Sequence, residues 1–83
     1  MERANISGAR IREARKKKGW GQVDLASALS LRFNLEIRQS DISEIERQVR
    51  GIRDFELDAI AHLLDVSPLW LLRGDEKAIP EQE

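Results

Sequence analysis

Apolar residues in this chain recur at intervals of three and four, in short blocks that a stop signal closes within a few turns. Residues 38–50, RQSDISEIERQVR, are typical: Ile42, Ile45 and Val49 fall on one side of a helix. That period requires helices, and helices this short are marginal alone, so each must bury its apolar stripe against others. The chain has 83 residues, enough for one domain that buries roughly 60% of its unfolded surface. At 41% apolar and 35% charged residues it reads as globular.

Five such blocks follow one another. In NISGARIREARKKKG, Ile6, Ala9, Ile11 and Ala14, with Trp20 beyond, lie near one face; Asn5 or Ser7 can cap its start and Gly19 supplies a left-handed stop. Lys16, Lys17 and Lys18 suit the negative end of that helix. GQVDLASALSL places Val23, Leu25, Ala26 and Leu29 inward, and residues 38–50 make the third helix. DFELDAIAHLLDV carries Phe55, Leu57, Ile60, Ala61 and Leu64 on its apolar face, with Asp54 as cap or first-turn charge and His62 on the solvated side. SPLWLLRG has Ser67 as N-cap, Pro68 in the first position and Gly74 as terminator. The expectation is an all-α, compact five-helix bundle over residues 1–75, with 76–83 as a polar, frayed tail.

SLRFNLEIR, residues 30–38, breaks the helical period. Leu31, Phe33, Leu35 and Ile37 alternate with Arg32, Asn34, Glu36 and Arg38, which reads as an elongated turn with one side buried. A second helix running on to Asn34 is the competing reading.

Charge divides the chain. Residues 1–53 hold 12 Lys+Arg against 7 Asp+Glu, a balance of +5; residues 54–83 hold 2 against 8, a balance of −6, and the two give the net −1. Such asymmetry suits a molecule with one polyanion-facing side, or one with only an acidic tail. With no cysteine, a disulfide framework and a thiolate metal site are excluded, and no metal or cofactor is expected. A single histidine and no phosphate-cradling glycine loop argue against an enzyme. No signal peptide or membrane span is evident, so the expected compartment is the cytoplasm.

GARIREARKKKGWGQVDLASAL, then DISEIERQVRG, then LDAIAHLLDVSPLWLLRGD, in this order, resemble the Xre/Cro-type helix-turn-helix domain of phage repressors and bacterial regulators. The resemblance covers about residues 6–75 and implies a lambda-repressor-like fold whose third helix enters the DNA major groove. It implies base reading by Gln39, Ser40, Ser43 and Glu44. It implies phosphate contacts from Gln22 at the second helix's N-terminus and from Arg38, Arg47, Arg50 and Arg53. It also pairs Glu46 with Arg15 inside the scaffold.

Four features depart from the pattern. The turn before the third helix is longer by roughly six residues. Gln48 stands where a glycine commonly follows IER, which lets the helix run towards Gly51; Gly21 replaces a serine N-cap; and Asp41 and Glu44 bring two carboxylates to the reading face. The implied partners are double-stranded DNA and a second copy of the chain, joined through the fourth and fifth helices with Leu69 and Trp70, the Trp70 ring itself being core. A protein-interaction module on the same scaffold, such as an antirepressor or antitoxin-like partner, is the alternative that the carboxylates favour.

Overall fold

The computed structural model describes residues 2–74, and the expected frayed tail lies outside them. Five helices follow in order: α1 Gly8–Lys17, α2 Gln22–Phe33, α3 Gln39–Glu46, α4 Asp54–Leu64 and α5 Pro68–Arg73, with no strand among the described residues. The all-α, five-helix reading is what the molecule adopts. α4 is the hub, packing on α1, α2 and α5, while α3 lies against α1 and α2. Ile11, Leu25, Leu29, Ile42, Ile45, Ile60 and Leu71 meet in the fully buried centre, one or two from each helix.

Helix ends are settled by local chemistry. At the starts of α2, α3 and α4 an acidic residue in the first turn accepts the N–H of the residue before the helix. Asp24 takes Gly21 at 2.7 Å, Asp41 takes Arg38 at 2.8 Å and Glu56 takes Arg53 at 3.0 Å. Asp54 therefore charges the first turn of α4 and does not cap it. Ser67 caps α5, its hydroxyl accepting from Leu69 and Trp70 at 3.0 and 3.3 Å. At α1, Asn5 is the side chain that caps: its Oδ1 accepts from Ser7 and Gly8, and its Nδ2 donates to the Ile45 and Arg50 carbonyls. One amide thus starts α1 and ties it to the end of α3. The approach there is so close that a Cβ on Gly8 would lie 2.2 Å from the Ile45 carbonyl oxygen.

The long second helix, not the extended segment, occupies residues 30–33. α2 continues to Phe33 and stops at Asn34, whose left-handed φ of 56° ends the helix. Leu31 consequently points to solvent, 85% exposed, although alternation had put it on the buried side. Only Ile37 of that alternating set is fully buried; Phe33 and Leu35 are packed at the core's edge. The elongated connection is residues 34–38.

α3 ends at Glu46 and does not reach Gly51, because Gln48 takes φ 65°, the conformation a glycine adopts without strain. Its carbonyl accepts from the Ala4 N–H at 2.9 Å and its Nε2 donates to the Asn5 carbonyl at 3.1 Å, which holds the turn. Val49 is swung off the helical stripe into solvent as a result. Ile6, Ala9, Val23 and Phe55 also lie outside the core face that spacing assigned to them. Ile6 precedes the first helical residue, while Val23 and Phe55 sit in first turns.

Candidate nucleic-acid interface

α3 presents its N-terminal end outward. Gln39, its first residue, and Ser40 are exposed, and Arg38 just before them is exposed as well. One turn on, Ser43 and Glu44 are half-buried, and the Ser43 hydroxyl accepts from Arg47 Nε at 3.3 Å. The apolar side of the helix, Ile42 and Ile45, faces the core, so the polar side is the one available to a partner. Gln22, first residue of α2, stands beside Gln39 and accepts a hydrogen bond from its Nε2.

Behind that pair lies a buried ion pair. Arg15 Nε donates to Glu46 Oε2 at 2.6 Å and Arg15 Nη2 to Oε1 at 3.0 Å, with only 7% and 2% of the two side chains exposed. Arg15 Nη1 also donates to the Trp20 carbonyl at 2.7 Å, so the guanidinium clamps the α1–α2 turn to the end of α3. The hydrogen bond to Glu46 and its charge outweigh burial and raise the Arg15 pKa above its usual value. Gln22 Nε2 reaches the same carboxylate, 3.1 Å from Oε1. Arg15, Glu46, Gln22 and Gln39 therefore form one chain of hydrogen bonds from the core to the surface.

The arginines after α3 do not share one fate. Arg47 and Arg53 are exposed, the Arg53 side chain by 71%, and its nearest carboxylate oxygen, on Glu56, is 4.0 Å away. Arg50, expected on the same phosphate-facing edge, is instead engaged inside the protein. Both its Nη atoms donate to Glu56 at 3.1 Å, Nη1 also meets the Gly51 carbonyl, and Nε lies 3.8 Å from Asp41. Burial pushes the Glu56 carboxyl up, but the Arg50 guanidinium, the Arg53 N–H and both positive charges hold it below its usual value. The Arg50–Glu56 pair has no short-range signature, because its geometry exists only once the α3–α4 loop is closed. Asp41 is explained too: it serves the start of α3 and Arg50, not the outer face. Glu44 has no hydrogen bond or ion pair on its carboxylate among the described residues.

Sequence reasoning did not single out Arg10, whose Nε and Nη2 donate to the Leu71 and Leu72 carbonyls at 3.0 Å each and close the end of α5 onto α1. Leu69 and Leu72 of α5 and Phe55 of α4 remain exposed, whereas Trp70 packs against the core, as its ring was read. His62 is exposed and touches Phe33 edge-on, with ring centres 5.7 Å apart. Among the described residues no cluster of metal-ligating side chains occurs, and no helix is long and apolar enough to cross a membrane.

Residues 8–77 match the family described as a helix-turn-helix domain. Among solved structures, a similar chain is the P22 c2 repressor protein in complex with synthetic operator 9T in the presence of Tl+. The two share 31% identity over 86% of this chain and 98% of that one, with a TM-score of 0.72. No curated protein matches the chain.

Proposed function

The chain belongs to the helix-turn-helix domain family, and from that premise we propose that it is a transcriptional regulator, a repressor, binding a two-fold DNA operator through the major groove. The observation that carries this reading is the exposed start of α3, where Gln39 and Ser40 stand beside Gln22 at the start of α2. A helix N-terminus offers free N–H groups and partial positive charge to a phosphate, and an amide or hydroxyl one helix away can reach base edges. In this reading Gln39 pairs with an adenine, with Ser40, Ser43 and Glu44 beside it on the groove floor. Glu44 accepts from a cytosine amino group, or repels sites that lack one. Gln22, Arg38, Arg47 and Arg53 hold the phosphates, while Arg50 shapes the loop that carries its two neighbours.

One such domain has few contacts, so the working species is a homodimer with recognition helices about 34–36 Å apart. The exposed Leu69, Leu72 and Phe55 support an interface through α4 and α5. Engagement of Asp41 by the fold removes one of the two carboxylates that favoured a purely protein-binding module.

The test is selection of bound sequences from random duplexes, followed by salt titration on the enriched site. The expected result is a two-fold site whose half-sites repeat about one helical turn apart, with log K falling linearly in log salt. No binding at low salt would overturn the reading in favour of a protein partner.

A further inference from the structure

An amide side chain can be turned end for end, exchanging its donor and acceptor, and only its partners decide which way it lies. Here one partner admits a single answer. The Glu46 carboxylate, engaged by Arg15 at both oxygens, has no hydrogen to donate. Gln22 must turn its NH₂ towards Glu46, at 3.1 Å, and its carbonyl oxygen then faces Gln39. That oxygen can only accept, so Gln39 must donate to it through Nε2. Gln39 is left with its carbonyl oxygen and its second N–H turned away from Gln22. An acceptor beside a donor complements the N6 amino group and N7 of adenine. With the relay reversed, Gln39 would accept from Gln22 and its free acceptor and donor would change places. A donor would face the N6 amino group of adenine and an acceptor its N7, so that neither bond to adenine forms and one N–H can meet the O6 of guanine.

We infer that Glu46 is a positioning residue for base recognition: held by Arg15, it sets the polarity of Gln22 and through it that of Gln39, and so selects adenine over guanine at one base pair of each half-site. The inference rests on Gln39 reading a base. Loss of an ion pair that served only the scaffold would weaken binding to every duplex alike; loss of this one changes the preference at one position.

The experiment measures affinities of the full chain for three duplexes, carrying adenine or guanine at the Gln39 position or a scrambled site, below the melting range. Wild type, Gln39→Ala, Glu46→Gln and Gln22→Met are compared. A bidentate contact gives the wild type a preference of roughly 5- to 150-fold. Glu46→Gln, which can donate or accept, is expected to lower the adenine-to-guanine ratio about fivefold or more, beyond any loss shared with the scrambled duplex. Gln22→Met removes the relay while leaving the ion pair intact; it is expected to lower the same ratio and decides the matter alone if Glu46→Gln does not fold. Relaxation in Gln39→Ala with the wild-type ratio kept in Gln22→Met and in any folded Glu46→Gln overturns the positioning role and leaves base reading in place. An unchanged ratio in Gln39→Ala overturns base reading and the relay together.

Discussion

Replacing Gly8 by alanine tests the closest approach in the fold. The new Cβ would stand 2.2 Å from the Ile45 carbonyl oxygen, 3.0 Å from that of Glu46 and 2.9 Å from Gln48 Cγ, where ordinary contact begins at 3.4 Å. Two of the three obstacles are backbone, so the start of α1 must move by about an ångström. That shift works against Asn5, whose bonds to the Gly8 N–H at 2.7 Å and the Ile45 carbonyl at 3.0 Å fix the same two segments. Overpacking costs about 1–3 kcal/mol and a weakened hydrogen bond about 0.5–1.5 kcal/mol. Alanine's advantage over glycine in a helix returns at most about 1 kcal/mol. The net expectation is a loss of about 2–3 kcal/mol, or roughly 10–20 °C in Tm for a domain of this size. Gly51→Ala is the control, since its Cβ would meet nothing nearer than the Ala4 carbonyl oxygen at 3.7 Å, and its backbone is not left-handed. It should leave stability unchanged or raise it by up to about 1 kcal/mol. Urea and thermal unfolding of the two variants decide the matter, and a Gly8→Ala protein melting at or above the wild type would refute the reasoning.

Three further outcomes follow from the charged groups. Arg15→Ala and Glu46→Ala should each cost about 3–5 kcal/mol, with the double variant recovering part of the sum; strictly additive losses would dissolve the pair as an energetic unit. Arg47→Ala and Arg53→Ala should each make the log K–log salt slope shallower by about 0.9, with little change in melting. Arg50→Ala should instead lower the melting temperature, because it strands Glu56, whose side chain is 4% exposed. An unchanged slope in the first two would take this edge off the DNA. Glu56 is held below its ordinary value of 4.5, so the unfolded chain takes up the proton first as pH falls. Its stabilising contribution is complete above about pH 4.5 and is lost as pH falls through the lower folded value, and Glu56→Gln should flatten that acid limb. Parallel acid-unfolding curves for the two proteins would contradict the assignment.

What the chain's order of residues determined by itself is the set of five helices and most of their ends. Stripes at three- and four-residue spacing need only local geometry, and Ser67, Pro68, Gly19 and Gly74 act on the turn in which they stand. The pairing of Arg15 with Glu46, and the placing of Gln22 and Gln39 at helix starts, were legible through resemblance, since 31 residues separate the charged partners and no spacing rule links them. Tertiary structure alone decided the rest. Gln48 ends α3 because Ala4 and Asn5 hold it in the left-handed region, against its own preference. Arg50 turns inward because Glu56 arrives there with α4, a contact that does not exist until the loop closes. Val23 and Phe55 are apolar by sequence and exposed in fact, because a stripe says which side of a helix is greasy but not which of its turns a neighbour covers. Leu31 is exposed because α2 runs on through it and replaces alternation by helical period. The direction of the Gln39 amide is likewise not a property of Gln39. It is set two hydrogen bonds away, through Gln22, by a carboxylate that has no hydrogen to give.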